Sequence, residues 1–438
     1  MIRTFRGDRV RRTTVLRLAV LAALALVLVL PSASFGGPAK KASPQACQLQ
    51  VFSWWTGGGE AAGLSKLIKI WNANNKSCQF KNETVAGGAG TNAKAVLAQR
   101  LAAHKPPDSF QGHAGAELRD YINAGQLEPI DFIYKQYHFD KVMPKSLVSQ
   151  IKSNGHLYSV PVNIHRANVL WYNPKVLKDA GITKVPTTWD EFIAALNKAK
   201  DAGVIPLAMG EQWTAEHLWE TVMIGVLGPA GWNALWHKGA NWNTAKVTTA
   251  LNRFKTLLGY TNSDAANLTW QDAGKLVADG KAAFNVMGDW QDGYFSGTKA
   301  GGNLALKPNT DYGWTAVPGT AGVYDWLSDS FTLPKGAPHR SAAVKWLAFL
   351  GSKKAQDTFN PVKGSIPARQ DANAKLYGTY LKWALKQWKS DKLAGSFFHG
   401  VVCPNAWKTK IDTALGLFLQ NKDVSSLQST LSSAAKAG

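Results

Sequence analysis

The chain has 438 residues, 45% of them hydrophobic and 18% charged, with a formal net charge of +21. That length holds two or three domain-sized units with large cores, and the composition excludes extended disorder. Tryptophan is the outlier, at 18 copies.

Six arginines (Arg3, Arg6, Arg9, Arg11, Arg12 and Arg17) precede an apolar run from Leu18 to Leu30, and Pro31-Ser32-Ala33-Ser34 follows. A basic start, an apolar centre and small residues predict a secretory signal over 1–34, cut near Ser34 or, alternatively, near Ala46. The run of about 13 apolar residues is too short to span a bilayer. No later segment reads as a membrane span, and Arg11-Arg12 is a poor match to twin-arginine export. Residues 35–46 read as a linker.

Residues 1–34 carry six Arg and one Asp, so the chain without them has a net charge of +16. Its Lys and Arg are scattered, with no dense basic run. That pattern predicts a solvated basic surface and no nucleic-acid partner. Of three cysteines, Cys47 opens the first predicted strand and Cys78 the second. Export permits a disulfide. If those strands are parallel neighbours, a bridge joins their starts and Cys403 is left over.

The stretch LQVFSWW (49–55) reads as a strand, and 60–75 as a helix with Leu64, Leu67, Ile68 and Trp71 at helical spacing. Residues 78–85 alternate like a strand, and the loop AGGAGT leads into a helix from Asn92 to about Ala103. PPDSFQGHAG (106–115) gives a short strand carrying Gln111 and His113. This alternation predicts an α/β lobe with a mostly parallel sheet. A second lobe is expected to open at Leu157–Val162. It continues with a strand at 169–173 and a helix near 175–180. In PTTWDEFIAALNKAKDAG (186–203), Thr188 is a predicted N-cap with Glu191 at capping-box spacing, and Gly203 a stop. A helix over Ala215–Leu227 and a strand over 282–290 follow. A strand pair near 311–335 returns toward the first lobe, and the chain from His339 on is mainly helical.

VPVNIHRANVLWYNPKVLKDAGITKVPTTWDEFIAAL (160–196) and GKAAFNVMGDW (280–290) resemble two signatures of the extracellular solute-binding proteins of sugar ABC transporters. FSWWTGGGE (52–60), FQGHAG, LSDSFTLPKGA and DTFNPVKGSIPAR (357–369) are similar to the glucose-binding branch. The likeness runs from about residue 48 to beyond 400; the strong positive charge departs from many members. The resemblance implies an α/β, two-lobed, type II periplasmic-binding-protein-like fold, with the ligand in a cleft between lobes joined by hinge strands. The lobe bounds are 47–157 with 326–368, and 158–325 with 369–438. It implies a periplasmic monomer that closes on a monosaccharide (glucose first, galactose or mannose next) and delivers it to the permease subunits of an ABC importer, with no cofactor.

A pyranose offers apolar C–H faces and a belt of hydroxyls, so its site needs aromatic faces and a polar, partly charged rim. Trp54 and Trp55 end the first strand, where ligands of open α/β sheets bind. Neighbours on a strand point to opposite faces, so a regular strand turns only one of them to a cleft. Glu60, in a first helical turn, is either a dipole-stabilising acid or a hydroxyl acceptor. Gln111 and His113 share one face at a strand end and read either as structural residues or as ligand contacts; the resemblance favours contact for both. Asp329 and Lys363 carry opposite charges where the chain crosses back, and read either as a structural ion pair or as sugar contacts; the resemblance favours the latter. It adds His399 in FFHG; from the second lobe, Trp290, which ends a predicted strand, and then Trp270 are candidates to cover the other sugar face. Trp71, Trp189 and Trp346 read as core.

Two enzyme readings compete. Gly57-x-Gly59-x-x-Ala62, with Glu83 further on, is a degenerate dinucleotide fingerprint. Two tryptophans crowd that turn, however, and export removes the cofactor. GGAGTNAK (87–94) lacks the end of a phosphate loop. A secreted glycosidase could draw its two carboxylates from Glu60, Glu211, Asp289 and Asp329; a closing sugar cleft needs carboxylates merely as acceptors. Nine histidines show no metal-ligand spacing, so no metal is expected.

Overall fold

Cys47–Ser53 lies inside a five-stranded sheet whose order is Cys78–Thr84, Cys47–Ser53, Ser109–His113, Asp329–Thr332 and Ser159–Pro161. The structure is a computed structural model that describes residues 47–437; the expected signal and linker lie outside the described residues. The first three strands are parallel, and Asp329–Thr332 runs antiparallel to both of its neighbours. The expected parallel order therefore holds for the opening strands and ends where the returning chain joins. Ser159–Pro161 was expected to open the second lobe. It is the edge strand of this first sheet, because Val160 pairs with Phe331 and the chain leaves the sheet only after Pro161.

The helix Gly58–Asn74 buries Leu64, Leu67 and Trp71 on one face. The Trp71 indole N–H donates to Cys78 O at 2.9 Å, which ties the helix end to the start of the next strand. Cys47 and Cys78 are register partners, their Cα atoms lie 4.5 Å apart, and the two are disulfide-bonded. Cys403 is buried and unbonded. Trp71 and Trp346 are core residues, whereas Trp189 is half-buried with Arg253 stacked on its ring at 4.8 Å.

A second, four-stranded sheet has the order Gly313–Ala316, Val169–Tyr172, Ala282–Met287 and Ile205–Ala208. Only its last pair is parallel. Trp189–Asp201 starts with the expected capping box: Thr188 Oγ1 accepts from Glu191 N and Glu191 Oε2 accepts from Thr188 N. The expected helix over Ala215–Leu227 runs longer, Gln212–Asn233, with a break at Gly228, whose φ is 69° and whose successor is Pro229. Among the described residues, no helix is long and apolar enough to cross a membrane.

The crossings between these sheets form a third sheet of Lys392–Gly395, Val323–Leu327 and His165–Arg166. His165–Arg166 connects Ser159–Pro161 to Val169–Tyr172, and Val323–Leu327 runs on into Asp329–Thr332. Both crossing strands are buried along their whole length. The ends of the strands that carry function therefore meet where the two sheets are joined.

The disulfide closes a loop with a sequence separation of 31. Replacing Cys47 and Cys78 together by serine is expected to lower the unfolding free energy by roughly 3.7 kcal/mol, as loop-closure entropy predicts for that length. The urea midpoint measures it; an unshifted midpoint would mean that packing alone holds the strand starts.

Candidate ligand-binding site

A cavity of about 250 Å³ opens where the two sheets are joined. Trp54, Glu60, His113, Trp270, Trp290, Asp329, Lys363 and His399 all line it, and Trp55 and Gln111 do not. The alternation of side chains along a strand separates the paired tryptophans. Trp54 faces the cavity. Trp55 turns the other way and is only 1% exposed, its ring centroid 5.3 Å from Phe331 and 4.6 Å from Phe359. It is a core residue, which corrects the expectation that it lines the site.

Gln111 is likewise a correction: its carboxamide oxygen accepts from Trp54 N at 3.2 Å and its NH2 donates to Asp329 Oδ1 at 2.8 Å. Both ends are in use, so it braces two lining residues. Asp329 also accepts from Asn163 Nδ2 at 2.7 Å and faces His165 Nε2 at 3.1 Å. Burial disfavours its charge, but the hydrogen bond and charge of His165, with the charges of Lys363 and His113, outweigh it and hold the carboxyl well below the usual carboxylate range. His165 is in turn bonded through Nδ1 to Asp289, whose other oxygen accepts from Arg166 N. Burial pulls the His165 pKa down, and the charge of Asp289 and the bonds to both carboxylates lift it above the ordinary value.

Lys363 makes its ion pair with Glu60, at 2.7 Å, and not with Asp329. Its ammonium also sits 5.6 Å from the Trp290 ring centroid, within cation–π range. Trp290 opens the helix Trp290–Ser296 just after Gly288. A Cβ on Gly288 would lie 2.2 Å from the indole, so that position must lack a side chain. Trp54 has the same need at Gly90: φ is +103°, and a Cβ would come within 2.9 Å of the ring. His113 Nδ1 lies 2.9 Å from Glu117, which also binds Lys94 at 2.7 Å.

Several lining residues were not singled out from sequence: the loop Ala86–Gly90, Thr56, His165, Trp213, Thr269, Gln271 and Leu327; Glu211 was weighed only as a hydrolytic carboxylate. The glycine-rich loop was the available signal, since three glycines before a helix allow close approach to an aromatic ring. His165 lies inside the 160–196 signature but carries no spacing cue. Trp213 Nε1–H donates to Glu211 at 2.9 Å, and its ring stacks on Phe398 at 5.4 Å.

The arrangement suits binding better than hydrolysis. Of the four carboxylates weighed for a glycosidase, Asp289 does not line the cavity, Glu60 is salt-bridged, Asp329 is held ionised and Glu211 accepts from the Trp213 indole. A general acid needs a raised pKa. Carboxyls that burial does lift, Glu216 to about 8 and Asp292 to about 7, lie outside the lining. For a metal, the one grouping of suitable residues among those described is His217, Glu220 and His399, with ligand atoms within 4.8 Å of one another. Both Glu220 oxygens already accept protein donors, from Ser396 Oγ and Phe398 N, and His217 Nε2 bonds Ala167 O. Those commitments leave little for a cation.

Residues 56–357 match the family described as bacterial extracellular solute-binding protein. An uncharacterised ABC transporter extracellular-binding protein of Pyrococcus horikoshii is 38% identical over 434 residues, 97% of this chain and 96% of that protein. A probable sugar-binding periplasmic protein of Brucella suis is 34% identical over 390 residues, covering 86% and 90%. Among solved structures, a bacterial solute receptor with a reported exclusive preference for β-D-galactopyranose superposes with a TM-score of 0.76 over 90% of this chain and 98% of its own. At 21% identity it shares the fold alone.

Glu117 is expected to make folding pH-dependent. Burial raises its pKa, but the charges of Lys94 and His113 and the bonds to both bring it to about 2, from 4.5. A depressed acid contributes stability above its unfolded pKa and loses it as pH falls through the folded one. Glu117→Gln should therefore cost about 3 kcal/mol at pH 7 and almost nothing near pH 2. Urea unfolding at a series of pH values measures this; a gap constant with pH would show that the charge of Glu117 is not what stabilises.

Proposed function

The chain belongs to the bacterial extracellular solute-binding protein family, and on that premise we propose that it is the sugar-capturing component of an ABC importer, with a monosaccharide as ligand and glucose foremost, galactose or mannose next. The observation that carries this reading is one cavity of about 250 Å³ with aromatic walls and a charged, hydrogen-bonding rim. Its volume falls below the ~300–1,000 Å³ that accommodates drug-sized ligands, which favours one ring over an oligosaccharide. Trp54 follows a strand of the first sheet and Trp290 follows a strand of the second, so each sheet contributes an indole to the lining. Asp329, Glu60, Lys363, His113 and His399 supply the rim, with charged groups able to bond hydroxyls more strongly than neutral ones.

Closure follows from the architecture. The lobes are assigned by sheet membership, the first keeping Ser159–Pro161 and Asp329–Thr332, the second built around Val169–Tyr172 and Ala282–Met287. The crossing strands between them act as the hinge, and closing brings the two aromatic walls onto the sugar. The closed monomer then docks on the permease at the outer face of the membrane, in the periplasm, after loss of the signal over 1–34. No chemistry is done on the sugar: the family's members bind solutes.

Calorimetric titration of the chain from Cys47 onward with glucose, galactose, mannose, maltose and sucrose, followed by chromatography of the recovered sugar, tests the reading. Saturable binding of a monosaccharide, returned intact, at about −8 kcal/mol or more favourable is the expected result. Binding of maltose alone, or a cleaved sugar, would overturn it. Trp54→Ala should weaken that binding by at least about tenfold, ~1.4 kcal/mol, with the melting temperature little changed; unaltered affinity would remove Trp54 from the contacts.

A further inference from the structure

Behind His399, on the side away from the cavity, stand three buried polar side chains that do not line it: Ser396, Glu220 and Asp325. They come from three elements. Ser396 follows the strand Lys392–Gly395 of the third sheet, Asp325 lies within the crossing strand Val323–Leu327, and Glu220 is on the helix Gln212–Asn233. Ser396 Oγ is 2.8 Å from Glu220 Oε1 and 2.9 Å from His399 Nδ1, and it also accepts from the His399 backbone N at 3.2 Å. The other Glu220 oxygen accepts from Phe398 N at 2.8 Å.

With Glu220 ionised, a proton count allows one arrangement. A carboxylate only accepts, and a hydroxyl donates once and accepts twice. The single Ser396 hydrogen therefore goes to Glu220. Its two lone pairs take the His399 backbone N–H and a hydrogen that must sit on Nδ1. Asp325 keeps Glu220 in the accepting state. Neither Asp325 oxygen has a partner among the described residues; burial lifts Glu220 to about 7 and, together with the charge of Glu220, pushes Asp325 much further up, so Asp325 is the acid that keeps its proton and Glu220 the one that ionises. The imidazole does not take up a second proton: burial, then the charges of His113, His217 and Lys94, hold its pKa well below the ordinary value. Nε2 has no partner among the described residues, and His399 lines the cavity.

We propose that Ser396, ordered by Glu220, fixes His399 as the Nδ1–H tautomer, so that Nε2 presents a bare lone pair to the cavity and selects a ligand with a hydroxyl hydrogen at that point. Ser396 and Glu220 are positioning residues in this scheme, and His399 is the group that touches the ligand. The assignment of a sugar hydroxyl rests on the proposed function; the tautomer does not. A ligand bearing fluorine or a methoxy group in place of that hydroxyl offers Nε2 no hydrogen.

Nitrogen-15 NMR of the full chain labelled at histidine tests the scheme without ligand, with His399 assigned by loss of its signals in His399→Asn. The wild-type chain should show Nδ1 protonated and Nε2 bare. Glu220→Gln should invert this. Phe398 N–H keeps the amide oxygen, the amide NH2 then donates to Ser396, and the serine hydrogen turns to Nδ1, leaving Nε2 protonated. Ser396→Ala should give a mixture of tautomers and weaken D-glucose binding by about tenfold. A wild-type Nε2–H signal, or a Glu220→Gln variant of unchanged melting temperature with the wild-type tautomer, would overturn the proposal. If Glu220→Gln fails to fold, Ser396→Ala decides it: a tautomer as pure as in the wild type refutes the serine's role. Because the tautomer is read without ligand, a wild-type chain that shows it and binds no glucose supports the assignment and counts against the sugar reading.

Discussion

The buried charge of Asp329 is the constraint around which the site is organised. An isolated carboxylate in a protein interior is costly unless it is paired and hydrogen-bonded. Here the amides of Gln111 and Asn163 and the imidazole of His165 surround it, and its side chain stays almost wholly buried. Each of those partners reaches further. Gln111 holds the backbone of Trp54, and His165 holds Asp289, which in turn caps the backbone of Arg166 on a crossing strand. One charge at the junction of the sheets thereby sets the position of an aromatic wall and of a connecting strand together.

Space is arranged as carefully as charge. Gly90 and Gly288 lie against Trp54 and Trp290 at distances that no Cβ could share, so each indole rests on bare backbone. Rings held in that way have little freedom to lose when a ligand arrives, which lowers the ordering cost of binding. The Glu60–Lys363 pair adds rigidity from the rim. It joins the first long helix to the end of a helix more than three hundred residues later, with Lys363 almost fully buried.

The crossing strands serve two purposes. They connect the sheets, and they bring polar groups from distant parts of the chain into a dry interior where proton positions are determinate. Glu220 accepts from Ser396 Oγ and Phe398 N on its two oxygens, while neither oxygen of the neighbouring Asp325 has a partner among the described residues. Low dielectric strengthens such a network when every member is satisfied and penalises it when one is not.

Much of this was legible in the chain itself. Helical spacing placed Leu64, Leu67 and Trp71 on a buried face, Thr188 and Glu191 announced a capping box, and the start positions of two strands brought Cys47 and Cys78 together. Eight of the ten residues expected at the site do line the cavity, most of them at or beside the ends of strands and helices. The two exceptions, Trp55 and Gln111, turn on matters that local pattern does not encode. Which of two adjacent tryptophans faces out depends on the strand's orientation in the finished sheet, and whether a glutamine is free or braced depends on Asp329, 218 positions away. The same holds for the partner of Lys363 and for Ser159–Pro161, which joined the first sheet because a strand from much later in the chain arrived to pair with it. By itself the sequence determined the elements, the residue types of the site and the family, since those rest on periodicity, capping and short motifs. Pairing across long loops, the direction of each side chain and the tautomer of His399 were decided only by the tertiary structure, because they depend on contacts between groups that adjoin only once the chain has folded.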